Sequence, residues 1–266
     1  MRRLIKIILL HLELVFEHRS VSFIWFIVVM FNALSYLLFW RGALGSQTTA
    51  IQGWSLQEAF SYYLLLVVVG TFIMAHIEEE VAYEDIQRGR LAVYLTKPFS
   101  YFFQKLFLDV PWRLIQSMFG IMALIIAIYI FRIPVQTVSS LPIFSAALAL
   151  ALLGYMLSFV FKMVIGLSAL WITEFTGLSQ LFAVIILVFG GYIIPLDFFP
   201  MGLREFALGT PFAYMVYYPL VALQGRLPPA DIIRVGMGQL AWLGLFLWVY
   251  HRLWFSGVRK FTAVGR

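Results

Sequence analysis

The sequence predicts an all-α, polytopic membrane protein with six transmembrane helices, and three observations predict it. Of 266 residues, 62% are hydrophobic and only 12% charged, against about 45–50% and about 25% in soluble globular chains. Six charge-free runs approach the roughly 20 apolar residues that cross a hydrocarbon core about 30 Å thick. Threading those runs through a bilayer places most Lys and Arg on one side, as the positive-inside rule requires. A soluble enzyme of one or two domains is excluded, and so is a disordered chain, which needs low hydrophobicity and high charge. The absence of cysteine excludes a disulfide scaffold, a thiol nucleophile and a thiolate metal site. The net charge of +6 is a matter of membrane sidedness here, not of nucleic-acid binding.

Residues 1–266 read as one transmembrane domain. Over residues 1–19, Leu4, Ile7, Ile8, His11, Leu12 and Val15 recur at helical spacing, with Arg3, Lys6, Glu13 and Glu17 mostly off that stripe. This is an amphipathic helix on the cytoplasmic membrane surface, either a plain anchor or a working part. It is not a signal peptide, because Lys6 interrupts the apolar run and no small-residue cleavage site follows. The six spans are Ser20–Trp40, Ala59–Ile77, Leu114–Phe131, Leu141–Phe161, Leu178–Leu196 and Val235–Tyr250. The last lengthens if Arg234 and His251 snorkel at its ends. The apolar run 141–196 is broken only by Lys162 and Glu174, and we read two spans there, joined by a turn within Lys162–Gly177. With the N-terminus inside, only Arg41, Arg132, Arg204, Arg226 and Arg234 face outward, leaving 14 of the 19 basic residues in the cytoplasm. A seventh span would move the basic C-terminal tail outside, so six is the better number, with both termini cytoplasmic.

Two connections stand out. Residues 78–113 form a cytoplasmic segment in which Glu84, Asp85, Arg88 and Arg90 make a charged head, and Leu91, Val93, Tyr94 and Leu95 an apolar back. Gly89 between them permits a turn or a close approach, Lys97 adds another charge, and Pro98 ends any helix. Composition favours a solvated loop whose charges set topology; a docking surface for a soluble partner is the alternative. Residues 197–234 form the outer segment, rich in Phe and Tyr yet cut by Pro200, Pro211 and Pro219. Prolines forbid a continuous span. Either two short helices dip into the outer leaflet, covered by protein, or two interfacial helices lie in the aromatic belt. Just before it, Gly190 and Gly191 weaken the fifth span and Pro195 removes a hydrogen bond, so the helix bends or ends there. This makes 190–195 a candidate hinge, with Phe198, Phe199 and Phe212 closing an exit; a static kink that packs two subunits is the competing account.

Much chemistry is absent from the sequence. No Gly is followed by Lys, so there is no P-loop, and neither long connection can hold a nucleotide-binding domain. His11, His18, His76 and His251 fall on separate elements, which gives no metal cluster. Serines lack a paired base, and no nucleophile elbow occurs. The span centres carry no ionisable group, as an ion-driven carrier needs. Asn32, Ser35, Gln116, Ser158, Gln180 and Gln239 read as interhelical hydrogen-bonding groups.

The whole chain resembles the membrane subunit of type-2 ATP-binding cassette (ABC) exporters, in a bacterial six-span branch. The resemblance rests on Asp85-Ile-Gln-Arg-Gly-Arg-Leu-Ala-Val-Tyr-Leu-Thr-Lys-Pro98, on Gly190-Gly-Tyr-Ile-Ile-Pro-Leu-Asp-Phe-Phe-Pro200 and on Pro211-Phe-Ala-Tyr-Met-Val-Tyr-Tyr-Pro219. Arg88 and Arg90 are basic where the wider family is often acidic. The resemblance implies a non-catalytic permease in a bacterial inner membrane, paired with an identical or homologous permease. Two ABC ATPase subunits would dock chiefly on Glu84–Pro98, including Leu91 and Lys97, and would carry the ATP and Mg; this chain would bind no cofactor. The outer helices would cap the path. An ion-driven carrier or channel and a non-transporting scaffold are the other classes left open.

Overall fold

A computed structural model describes residues 19–44, 53–130 and 132–261. The amphipathic helix expected over residues 1–19 lies outside them except for Arg19, which opens the first helix. Among the described residues the regular structure is helical, and five helices are long and apolar enough to cross a membrane. The chain is thus an all-α, polytopic membrane protein. The helices are α1 (Arg19–Leu44), α2 (Leu56–Ile73), α3 (Glu80–Gln87), α4 (Leu91–Leu95), α5 (Tyr101–Tyr129), α6 (Leu141–Leu167), α7 (Phe175–Phe189), α8 (Met201–Gly209), α9 (Ala213–Gln224) and α10 (Pro229–Val258).

Local chemistry sets most of the boundaries. Ser55 caps α2 in a full capping box with Glu58, which satisfies two backbone donors reciprocally. Pro142 and Pro229 start α6 and α10, where a missing N–H costs nothing. Gly225, with φ +85°, closes α9 in the left-handed conformation. The helix α2 is not uniform: Leu66–Gly70 is wound as a π-helix, and the Thr71 hydroxyl donates to the carbonyls of Val67 and Val68, each at 2.9 Å. After Ile73 the chain runs extended through Met74–Ile77, four residues before the end expected from hydropathy.

The third long helix departs furthest from expectation. It begins at Tyr101 and not at Leu114, so Lys105, Asp109 and Arg113 are helical and buried. Tyr101, Lys105, Asp109, Arg113 and Gln116 follow at helical steps of four and three, which puts all five on one face. A hydropathy scan discards this stretch because of its charges, yet the face packs inward. Lys162 likewise lies inside α6, which runs to Leu167. The helix α7 is short and stops at Phe189, where the two glycines follow.

The helix α6 is the central post, packed along α10 and against α9. Small residues permit the approach: a Cβ on Gly154 would sit 2.4 Å from the Met215 carbonyl oxygen. The α8–α9 pair is bent by 76°, and Phe212 at the bend meets Phe161 of α6 with ring centroids 5.4 Å apart. Both ends of the pair lie at one end of the molecule. Arg204, on α8, bonds Asp197 at 2.6 Å, while after α9 Arg226 bonds Glu58 at 2.5 Å and Gln224 donates to the Glu58 carbonyl at 2.8 Å. Asp197, Arg204 and Arg226 line one cavity of about 220 Å³. The pair is thus a helix broken at Phe212, with residues before, within and after it gathered around one cavity.

Candidate functional site

The two segments singled out by sequence lie at opposite ends of the bundle. At the charged end, α3 is wound as a π-helix and stops where Arg88 caps it. Gly89 follows with φ +78°, a conformation glycine adopts without steric cost. The Arg90 N–H reaches back to the Glu84 carbonyl at 3.3 Å, and Ala92 N–H to Gly89 at 3.2 Å. These bonds turn the chain into α4. The result is a short helix–turn–helix whose tip exposes Arg88, Gly89 in part and Arg90, followed by exposed Val93, Leu95, Lys97 and Pro98. Glu84 is half-buried and ion-paired with Arg88.

Two residues of the expected docking set point the other way. Asp85 and Leu91 are fully buried: the π-wound α3 turns Asp85 onto α5, and Leu91 opens α4 inside the cluster that holds Val81, Ile86 and Tyr101. There Lys105, 0% exposed, bonds Asp85 at 2.5 Å and Glu80 at 2.6 Å. Its ammonium also lies 4.8 Å from the centroid of Tyr94 on α4 and 5.7 Å from that of Tyr101. The Tyr101 hydroxyl donates to Asp85 at 2.6 Å, and the Tyr101 ring stacks on Trp254 of α10 at 4.9 Å. One lysine thus pins both arms of the helix–turn–helix to the base of α5. Burial raises the Asp85 carboxyl above the ordinary carboxylate range, against the opposing pull of Lys105.

The same end carries two more buried links. Glu78 pairs with Lys162 of α6. Arg113 donates to Asp109 at 3.2 Å, to Gln116 at 2.8 Å and to the Met74 carbonyl at 2.6 Å. Tyr155 of α6 closes the set by donating to Asp109 at 3.0 Å. Close packing completes the seat: a Cβ on Gly166 would lie 2.8 Å from Val81 and 3.0 Å from the Glu78 carbonyl. Lys105, Asp109, Arg113, Glu78 and Lys162 read in the sequence only as topology charges; the four-residue polar stripe from Tyr101 was the available signal for three of them.

At the hairpin end the expected pieces are present, but they are not all neighbours. Gly190 caps α7 and Gly191 follows with φ +82°. A Cβ on Gly191 would stand 2.6 Å from the Tyr62 hydroxyl, which donates to the Gly191 carbonyl at 2.8 Å. Tyr63 donates to the Ile193 carbonyl at 2.6 Å, and Pro195 is buried. Phe198 packs between Trp40 and Trp54 at 5.1 and 5.9 Å. Phe199, half-buried, joins the same core. Phe212 instead lies at the bend of the hairpin, one helix further on, against Phe161. The three phenylalanines therefore do not meet as one cluster, because α8 separates the first two from the third.

A bundle of apolar helices with buried ion pairs at one end and a bent aromatic helix pair at the other defines a polytopic membrane protein. A family model described as "ABC-2 family transporter protein" matches residues 23–265, and the chain belongs to that family: it is the membrane permease component of an ABC transporter. Neither the curated proteins nor the solved structures offer a match.

Proposed function

We propose that this chain is the permease half of an ABC exporter in a bacterial inner membrane. In this reading α1, α2, α5, α6, α7 and α10 make six crossings, the charged end faces the cytoplasm with both termini, and two permeases share a path along their interface. Two ATPase subunits, holding ATP and Mg, dock on the exposed strip Arg88, Arg90, Val93, Lys97 and Pro98. The observation that carries the reading is the form of that strip. It is solvent-exposed on one side and fastened on the other by Lys105, Glu78 and Gly166 to α5 and α6, so force on the tip moves whole helices, a rigid-body transmission of the hinge-and-shear kind. The hairpin caps the outer mouth, and Gly190–Pro195 is the joint between it and α7. The abundance of aromatic and uncharged lining favours an amphiphilic or hydrophobic substrate.

The test is assembly. Co-expression with an ABC ATPase subunit from the same source should yield a complex that hydrolyses ATP, whereas the purified permease alone hydrolyses none. Substrate movement driven by an ion gradient through the lone chain would instead select the carrier reading. Single cysteines at Ser46 and Thr96 in this cysteine-free chain should label from opposite faces of intact cells, Ser46 from outside. Labelling of both from one face refutes the six-crossing topology.

A further inference from the structure

The irregular stretches of α2 open a cavity of about 240 Å³ between α1, α2, α5 and Tyr192. The π-wound turn contributes Leu66, Val67 and Gly70, and the extended stretch below it contributes Met74 and His76. π-Bulges occur frequently at functional sites, and here the bulge is what shapes the wall. Val28, Val29 and Phe119 complete the apolar part.

A row of uncharged polar groups runs along the same cavity: Asn32, Tyr36, Thr71, His76, Gln116 and Tyr192. The Asn32 amide, the Tyr36 hydroxyl and the His76 ring make no hydrogen bond with the described residues. Gln116 spends its carbonyl on Arg113 at 2.8 Å and keeps its amide N–H groups free. Gln116 is buried, Tyr36 half-buried, and Asn32 and His76 exposed at the cavity mouth; beside hydrocarbon, polar groups without partners are costly, so this row is matched by something other than lipid tails. The sequence reading of Asn32 as an interhelical hydrogen bond does not hold among the described residues. No Asp, Glu, Lys or Arg lines the cavity; the nearest cation, Arg113, is turned to Asp109, Gln116 and the Met74 carbonyl. An ion entering here would lose its hydration and find no opposite charge.

We propose that this cavity binds an uncharged amphiphile, one with an apolar body and a neutral head that both donates and accepts hydrogen bonds. Its body lies on Val28, Val29, Leu66 and Phe119, and its head meets Asn32, Tyr36 and Gln116. The assignment rests on the exporter reading for its meaning as a substrate or substrate-like ligand, and on the cavity alone for binding.

The probe is a diazirine-bearing monoacylglycerol, photolysed with the full-length permease–ATPase complex in lipid nanodiscs and mapped by peptide mass spectrometry. Saturable labelling of the peptides bearing Val28–Tyr36 and Leu66–Met74 is expected. Unlabelled monoacylglycerol should displace it at least tenfold more effectively than a fatty acid or an alkyltrimethylammonium of equal chain length. Val28→Trp, which fills the void from an exposed position, should abolish the labelling; Asn32→Leu, which removes a polar anchor while keeping volume, should weaken it about tenfold. Both variants should still co-purify with the ATPase, which shows that they fold. Non-saturable labelling, equal displacement by the charged competitors, or full labelling of both variants overturns the proposal. So does absence of labelling together with ready disulfide formation between two Asn32→Cys permeases, which assigns the cavity to the permease partner. If the complex transports but the site stays unlabelled, only this inference fails. If no ATPase associates yet the permease labels with the stated selectivity, the cavity stands and the exporter reading fails.

Discussion

The two ends of this bundle are held by different forces. At the charged end the links are ionic and buried: Lys105 to Asp85 and Glu80, Lys162 to Glu78, Arg113 to Asp109. At the hairpin end the ion pairs Arg204–Asp197 and Arg226–Glu58 are partly exposed, and the buried links are tyrosine hydroxyls on backbone carbonyls, as at Gly191 and Ile193, with aromatic stacking around Trp40 and Trp54. Removing one partner from a buried ion pair costs about 3–5 kcal/mol, whereas a neutral hydrogen bond contributes about 0.5–1.5 kcal/mol net. The first end favours a single arrangement, which suits the coupling role proposed for it. The neutral contacts of the second exchange at smaller cost, which suits the mouth proposed there.

The largest expected effect is at the strut. Lys105→Met leaves Asp85 and Glu80 without their cation and should destabilise the protein by about 3–5 kcal/mol, read as a fall in melting temperature of the purified permease. Lowering the pH should shrink that deficit. The Asp85 carboxyl is already raised by burial, and losing Lys105 removes a lowering influence. The folded variant then holds its proton more readily than the unfolded chain, so stability rises as pH falls into the carboxylate range and is lost as pH rises through the folded value. Asp85→Asn in the Lys105→Met background should recover part of the loss at neutral pH. No such recovery would mean that the strut is packing, not charge.

Next in size is Gly89→Val. A β-branched residue at φ +78° costs on the order of 1–3 kcal/mol, concentrated in the turn between α3 and α4. Membrane insertion should be normal, while ATPase co-purification and transport fall. Normal transport would remove the turn from the coupling path.

At the hairpin end, Tyr62→Phe deletes the bond to the Gly191 carbonyl and should cost about 0.5–1.5 kcal/mol, a smaller melting shift than any strut variant. ATP hydrolysis by the assembled complex should persist with altered transport. Replacing Gly191 by Leu adds a Cβ where the Tyr62 hydroxyl stands; if the permease pair then separates on size exclusion, the glycines serve packing and not hinging.

Smallest in stability is Arg88→Ala. Exposed ion pairs are worth about 0–1 kcal/mol, so the melting temperature should barely move. Association with the ATPase should weaken measurably if the tip is the docking surface proposed above. A variant with wild-type ATPase affinity would break the contrast between tip and strut.

Apolar runs and charge were enough to read a helical, polytopic fold directly from the sequence, because a lipid environment demands long stretches of apolar helix and tolerates little else. Turn chemistry was legible as well: Gly89 and Gly191 both adopt positive φ, and the Pro-cut segment 197–234 is broken into two helices at a 76° bend. These features are local, and local residue types announce them. What the sequence left undecided was the destination of charged side chains. Lys105 and Arg113 counted only as cytoplasmic charges that set topology, and Asp85 as part of a docking face. Only tertiary packing brings Asp85, Glu80, Tyr94 and Lys105 from three helices to one point, and a buried charge is tolerable only where its partners already stand. The cavity beside α2 was equally invisible, since it arises from a π-wound turn and an extended stretch within an apolar run that reads as one continuous span. Hydropathy sums over residues one at a time; where a helix loosens and which charges find each other are properties of pairs distant in the chain, and those the fold alone decides.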